Sequence, residues 1–86
     1  MVSVTTEKFR KCFDNLPQKV QDEAKKVFKI WKSDPYLNNL KFKKIHAVEN
    51  IYSVRSGMHW RALGVKEEDK VIWFWIGSHS DYDNLI

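Results

Sequence analysis

The sequence predicts one soluble α+β domain over residues 1–86, with two N-terminal helices packed on a mainly antiparallel sheet of four to five strands, in the order β-α-α-β-β-β-β. Three observations predict this fold class. A chain of 86 residues suffices for one modest core, so any active site should be open and shallow. Hydrophobic residues make up 43% of the chain and aromatic residues 14%, which is too much apolar surface for a disordered segment. The apolar spacing changes from a helical period to a strand period near the middle of the chain.

The first half of the chain is predicted to form a short strand and a helical hairpin. Val2 to Val4 can form the strand, and Thr5 and Thr6 offer a helix cap. Two apolar helix faces follow, made by Phe9, Cys12, Phe13 and Leu16 and then by Val20, Ala24, Val27, Phe28 and Trp31. Pro17 suits the first turn of the second helix, and Asp34-Pro35 ends it.

The second half of the chain is predicted to form four strands. They are Leu40 to Lys44, Ile51 to Arg55, His59 to Leu63 and Val71 to Ile76, separated in part by Ser56-Gly57-Met58 and by the charged turn from Lys66 to Asp69. The last strand is apolar throughout, which is typical of a central strand covered on both faces, and Gly77 ends it. Residues Asp81 to Ile86 make at most one short helical turn.

Charge is unevenly distributed along the chain, whose formal net charge is +4. Residues 1–48 carry a charge of about +6 and residues 49–86 about −2, counting Lys and Arg against Asp and Glu. An anion site in the second half must therefore come from a few placed residues rather than from a general field.

Other sequence features narrow the class of protein. Cys12 is the single cysteine, so no internal disulfide can form, and its place on an apolar helix face indicates a core residue. The chain shows no targeting segment and no apolar run of the roughly 18 residues that a membrane span needs. We therefore expect a cytoplasmic protein with no membrane partner.

The first hairpin of the sheet determines where the cationic side chains lie. A three-residue loop, Ser56-Gly57-Met58, pairs Arg55 with His59 and Ser53 with Arg61, which puts these four side chains on one face. The opposite, apolar face then holds Tyr52, Val54, Trp60 and Ala62. A two-residue loop would bury an unpaired guanidinium, so we expect the longer loop. Two arginines and a histidine within about one strand spacing could hold a phosphate from one side.

The segment Gly77-Ser78-His79 adds another candidate, because it brings a histidine to the rim of the sheet. A histidine side chain titrates near neutrality and can exchange a proton with a ribose hydroxyl or a leaving oxygen. His59 and His46 could do the same, and spacing alone does not select among the three.

The order of several segments resembles a known family. These segments are Leu40 to Lys44, Ile51 to Arg55, His59 to Ala62 and Trp75 to His79, with Leu16-Pro17 between the helices and Tyr82-Asp83 after the last strand. Over nearly the whole chain they resemble the RelE/ParE toxin superfamily, in particular the small RelE-like toxins of type II toxin–antitoxin pairs.

The resemblance implies a ribosome-dependent endoribonuclease that inhibits translation by cutting mRNA without a metal. The ribose 2′-hydroxyl attacks the adjacent phosphate and leaves a cyclic phosphate and a 5′-hydroxyl. By the same resemblance, Arg61 stabilises the phosphorane and Arg55 holds the scissile phosphate. His79 acts as general acid, or alternatively as general base, and Tyr82 assists. No cofactor is expected, since the sequence has no glycine-rich phosphate loop and no residue set at metal-ligand spacing.

One departure from the family concerns the residue two positions before Arg55. RelE-like nucleases often have a second cation there, and this chain has Ser53. Replacement cations could come from the neighbouring strand, and the residues expected to bind RNA are Lys41, Lys43, Lys44 and His59. The implied partners are a cognate antitoxin protein, the ribosome and mRNA, with operator DNA bound only through the antitoxin.

The sequence leaves alternatives open for the function of the chain and for the roles of individual residues. The chain could be a ParE-like toxin that inhibits DNA gyrase, or a non-enzymatic binding module of the same fold. Trp73 and Trp75 could stack on RNA bases, although an uninterrupted apolar strand favours core. The lysines of the second helix could bind ribosomal RNA or simply form a solvated face. Arg55 and Arg61 could be structural, paired with carboxylates at the sheet rim, namely Glu49, Asp81 or Asp83.

Overall fold

The computed structural model describes residues 1–85 and has the predicted α+β fold. Its elements are β1 (Val2–Thr5), α1 (Glu7–Asp14), α2 (Gln18–Ser33), a 3₁₀ turn (Asn38–Leu40), β2 (Lys43–Lys44), β3 (Ile51–Ser56), β4 (Trp60–Glu67), β5 (Lys70–Ser78) and α3 (His79–Leu85). Within the described residues, five strands form one sheet in the order β1-β5-β4-β3-β2. β1 is parallel to β5, and the other neighbouring pairs are antiparallel.

Helices α1 and α2 cover one face of the sheet, termed the helix face. Its centre is an aromatic cluster in which Trp31 of α2 and Trp73 of β5 meet edge to face, with ring centroids 5.3 Å apart. Phe28 packs on the same Trp73 ring at 5.6 Å. The predicted apolar face of α2 is therefore confirmed, and it supplies much of the core.

Local capping explains where the helices begin and end. The Thr6 side chain accepts a hydrogen bond of 3.1 Å from the backbone N–H of Phe9 and so caps α1. Pro17 occupies the N-cap of α2, one position before the predicted first turn, and α2 ends at Ser33, directly before Asp34-Pro35. Cys12 is a free, half-buried thiol packed against the core, as predicted.

The predicted strand from Leu40 to Lys44 is wrong except for its last two residues. Leu40 ends the 3₁₀ turn, and Lys41 takes a left-handed backbone with φ of 51°. Leu40 and Phe42 both lie in the core, as the predicted alternation with Lys41 requires, but a turn rather than a continuous strand places them there. The final helix is also longer than predicted, because it begins at His79. Ile86, which the sequence assigned to this turn, lies outside the described residues.

A bulge in β5 changes which side chains face the helices. The register of β4 and β5 shifts between Leu63 and Gly64, which pair with Trp75 and Trp73 respectively. Trp73 therefore lies on the helix face, fully buried, and Trp75 on the opposite face, half-buried. β5 is an interior strand, between β1 and β4, and not the edge strand that a continuous apolar run argues against. Its cover is complete only on the helix face, so the predicted cover on both faces is wrong. No helix within residues 1–85 is long and apolar enough to cross a membrane.

Candidate functional site

The sheet face opposite the helices, termed the open face, carries the predicted arginines. Arg55 on β3 and Arg61 on β4 are direct cross-strand partners, so their side chains leave the same face with Cβ atoms roughly 4.5–5.5 Å apart. The adjacent pair, Val54 and Ala62, is buried on the helix face, as expected from alternation. Two like charges placed directly opposite destabilise a sheet. Their juxtaposition therefore calls for a functional explanation.

The hairpin register differs from the predicted one by two positions. The loop contains Gly57, Met58 and His59 rather than Ser56 to Met58, and Arg55 pairs with Arg61 instead of His59. Gly57 has a φ of +70°, which glycine adopts without penalty, so the loop begins there and Ser56 stays in the strand. A shift of two positions preserves the faces, so the arginines still share one. His59, in contrast, lies exposed in the loop.

Arg61 contacts an aromatic ring and has two donors without a partner in the described residues. Its guanidinium carbon lies 5.1 Å from the centroid of the Tyr82 ring, a cation–π contact. Its Nε and Nη1 atoms are shielded from solvent and have no hydrogen-bond partner among residues 1–85. A shielded donor without a partner is unfavourable, and the side chain would have to shift before an anion could reach these two atoms. Arg61 therefore shares a face with Arg55 and has unpaired donors, which is compatible with a phosphate site.

Arg55 is fixed by the loop that follows it. Its Nε donates a hydrogen bond of 3.0 Å to the carbonyl oxygen of Gly57. Across the described residues, neither Arg55 nor Arg61 forms an ion pair with a carboxylate, and Asp83 instead pairs with His79. The structure therefore does not support the alternative in which carboxylates at the sheet rim neutralise the two arginines.

His79 and Tyr82 lie in α3, which follows directly from β5, and Tyr82 contacts Arg61. The backbone N–H of His79 donates to the carbonyl oxygen of His59, which ties α3 to the hairpin loop. The His79 ring lies 5.9 Å from the Tyr82 ring, and Tyr82 in turn contacts Arg61. His79 Nδ1 lies 3.2 Å from an Asp83 carboxylate oxygen, which leaves Nε2 for proton exchange. Arg61, Tyr82 and His79 thus form a continuous series of contacts.

The candidate RNA-binding residues do not all lie on the open face. Lys43 pairs with Ser53 and so lies on the open face, whereas Lys44 pairs with Tyr52 on the helix face. Lys41 precedes β2 in its left-handed turn.

His46, a further candidate for proton exchange, has a local role. Its Nδ1 accepts hydrogen bonds from the backbone N–H groups of two residues in the loop before β3, Val48 at 3.2 Å and Glu49 at 2.9 Å.

Two features of the open face were not predicted. Ser53 is completely buried, and its hydroxyl has no hydrogen-bond partner in the described part of the chain. The Trp75 ring lies over Gly77, the β5 partner of Arg61, where a Cβ atom would come within 2.5 Å of it. Gly77, two residues before His79, was the one available signal for this second feature, since the bulge that directs Trp75 to this face leaves no trace in an unbroken apolar run.

Comparison with known proteins identifies relatives of this fold. The ParE-like toxin domain family matches residues 18–84. A search of curated protein sequences found no significant match. The RelB–RelE antitoxin–toxin complex from Methanococcus jannaschii has a similar structure, with a TM-score of 0.75 and 19% identity over 96% of this chain and 98% of that one.

Two further solved structures are similar over most of their length. The toxin–antitoxin complex RelBE2 from Mycobacterium tuberculosis has a TM-score of 0.73 and 16% identity, covering 91% of this chain and 96% of that one. YafQ from E. coli has a TM-score of 0.73 and 12% identity, covering 93% of this chain and 94% of that one. At such identities the likeness is one of fold, and it agrees with the architecture predicted from the sequence.

Proposed function

This chain belongs to the ParE-like toxin domain family, and from that premise we propose that it is the toxin of a toxin–antitoxin pair and cleaves mRNA on the ribosome without a metal. The observation that carries the proposal is the opposed pair of Arg55 and Arg61, which has no carboxylate partner among residues 1–85. Such a pair is unfavourable for the isolated sheet and favourable around a phosphate, because guanidinium groups donate directionally to phosphate oxygens.

The proposed reaction uses the neighbouring ribose as nucleophile. Its 2′-oxygen forms a bond to phosphorus and loses its proton to water, while the bond from phosphorus to the 5′-oxygen breaks. Arg55 and Arg61 donate to the non-bridging oxygens, whose negative charge grows in the transition state. His79 gives a proton to the departing 5′-oxygen through Nε2. The products are a cyclic phosphate and a 5′-hydroxyl, and the Tyr82 ring supports the position of Arg61.

The proposed dependence on the ribosome follows from the shape of the site. Arg55 and Arg61 lie on one face of a small sheet, and His79 of α3 has 46% of its side chain exposed. A flat site of this kind does not by itself force the 2′-oxygen and the leaving oxygen into line, although that alignment is a large part of catalysis. A ribosome that holds mRNA in a fixed geometry would supply it, and the protein would then act in the cytoplasm.

The proposed antitoxin would cover the open face. On the open face, four residues along the strands from the arginines, four β-branched residues form one row across the sheet. Ile72 pairs with Val4 and Val65, and Val65 pairs with Ile51. A peptide with apolar side chains over this row and acidic side chains at Arg55 and Arg61 would exclude mRNA. The relatives from Methanococcus jannaschii and Mycobacterium tuberculosis are complexes of toxin with antitoxin. We propose that operator DNA is bound only through such a partner.

A second candidate function is inhibition of DNA gyrase. The matching family carries the ParE name, and toxins of that kind act without cutting RNA. This alternative gives no role to the unpaired donors of Arg61, so we place it second.

One experiment separates these functions. The chain is induced alone in a bacterium, and the 5′ ends of the mRNA are mapped, alongside the Arg61→Ala and Arg10→Ala variants. Arg10 is an exposed arginine of α1 that bonds to Thr5, away from the open face. We expect cuts within translated codons, a fall of about 10²–10³-fold in cleavage for Arg61→Ala, and no change for Arg10→Ala. DNA damage with intact messages would favour gyrase, and normal growth would favour a binding module.

A further inference from the structure

The position of Lys43 is fixed by the short strand β2. Lys43 pairs with Ser53 and Lys44 with Tyr52. The backbone N–H of Ile45 donates a hydrogen bond of 2.9 Å to the carbonyl oxygen of Ile51, which continues the same register. Because neighbouring side chains on a strand point to opposite faces, two adjacent exposed lysines leave the sheet on opposite sides.

Lys43 lies close enough to the arginines to share a ligand with them. It is the cross-strand partner of Ser53, two residues before Arg55, so the Cβ atoms of Lys43 and Arg55 are diagonal neighbours about 7–8 Å apart, within reach of long side chains. Ser53 between them is short and completely buried. Its hydroxyl cannot extend to a ligand above the sheet, so an exposed cation next to Ser53 has to come from β2.

Lys43 forms no ion pair with a carboxylate in the described part of the chain. Over residues 1–85 the ion pairs are Lys11 with Glu7 and His79 with Asp83, and neither involves the open-face cations. Lys43, Arg55 and Arg61 therefore place uncompensated positive charge across three adjacent strands. Such an arrangement attracts a polyanion whose charges are spread along its length rather than a single small anion.

We infer that Lys43 binds the RNA backbone beside the scissile phosphate and that Lys44 takes no part. Lys43 would then provide the charge that a side chain at position 53 cannot provide in this protein. The inference rests on the proposed function for the identity of the polyanion, but the placement of Lys43 is independent of whether cleavage occurs.

The test measures binding in the absence of cleavage. The probe is a single-stranded RNA oligonucleotide with 2′-O-methyl groups, which lacks the attacking hydroxyl, and its affinity is followed by fluorescence anisotropy as salt rises from about 50 to 200 mM. Lys43→Ala should weaken binding about fivefold and reduce the slope of log K against log salt by about 0.7, the value of one phosphate contact on a single strand. Lys44→Ala should leave affinity and slope unchanged, and Lys43→Arg should retain both.

Both lysines are exposed, so neither alanine variant should disturb the fold. Equal effects of Lys43→Ala and Lys44→Ala would overturn the inference, as would an unchanged slope for Lys43→Ala or a failure of the unmodified chain to bind the probe. If the slope depends on Lys43 but mRNA in cells is not cut, the nuclease proposal is wrong and the Lys43 binding site stands. If cleavage requires Arg61 but is unchanged by both lysine variants, the nuclease proposal stands and the Lys43 inference is wrong.

Discussion

The two faces of the sheet differ in the charge and packing of their side chains, although both contain buried polar atoms without a partner among residues 1–85. These atoms are Trp31 Nε1 and Ser56 Oγ on the helix side, and Ser53 Oγ and two Arg61 nitrogens on the open face. On the helix face, Trp73 is fully buried and surrounded by aromatic rings. Its indole N–H donates a hydrogen bond of 2.9 Å to the Ser3 hydroxyl. On the open face, two arginines oppose each other, and Arg61 keeps donors without a partner among the described residues. The difference indicates that one face stabilises the fold, while the other gives up local stability for binding.

The largest expected effect compares the two tryptophans of β5. Trp73→Ala should lower the free energy of unfolding by about 3–5 kcal/mol, as for a large ring removed from a packed core. Trp75→Ala should lower it by clearly less, because that ring is half-buried on the open face. Urea denaturation in an Arg61→Ala background, which limits toxicity during expression, measures both. Equal losses would show that the open face contributes as much to stability as the helix face.

A smaller effect is expected from two glycines. Gly64→Ala places a Cβ atom 2.6 Å from Val71 Cγ1 and 2.8 Å from the Trp73 ring, so overpacking should cost about 1–3 kcal/mol. Gly57→Ala meets Glu23 at an ordinary 3.9 Å and is unfavourable only through its φ of +70°, at about 1 kcal/mol. The same urea titrations rank the two variants. If Gly57→Ala is the more destabilising, backbone strain in the hairpin loop outweighs core packing at the bulge.

The smallest expected effect tests whether Arg61 has a structural role. Arg61→Met removes a cation–π contact but also a repulsion from Arg55 and donors that lack partners. These terms oppose each other, so we expect the free energy of unfolding to change by less than about 0.5 kcal/mol, with mRNA cleavage lost. Measurement at low and high salt should show the repulsive part decreasing as salt rises. A loss above roughly 2 kcal/mol would identify Arg61 as a support of the fold.

The sequence predicted the features that depend on local pattern. The helical hairpin follows from the apolar period and from the breaks at Pro17 and Asp34-Pro35. The shared face of Arg55 and Arg61 follows from strand parity, which survives the two-position error in the loop. Parity does not place the loop itself, because that depends on the backbone angle that Gly57 adopts, and His59 was therefore assigned to the wrong environment.

The features that the sequence missed depend on long-range register. Lys43 and Lys44 are equivalent in sequence, and their separation onto two faces is set by pairing with β3. Trp75 reaches the open face through an extra residue in β5, and an unbroken apolar run gives no sign of it. The contact of Tyr82 with Arg61 needs the start of α3 at His79, where the sequence suggested only a short turn.

The place of β5 in the sheet has a consequence for the order in which the protein can fold as it is synthesised. β5 lies between β1 and β4, yet it follows all the other described strands along the chain. A growing polypeptide that ends before Lys70 therefore has no strand for β1 to join, and pairing across such a sequence separation is slow. Tyr82, which supports Arg61, emerges later still. The nascent chain consequently acquires the complete surroundings of Arg61 only after these residues have left the ribosome that makes it.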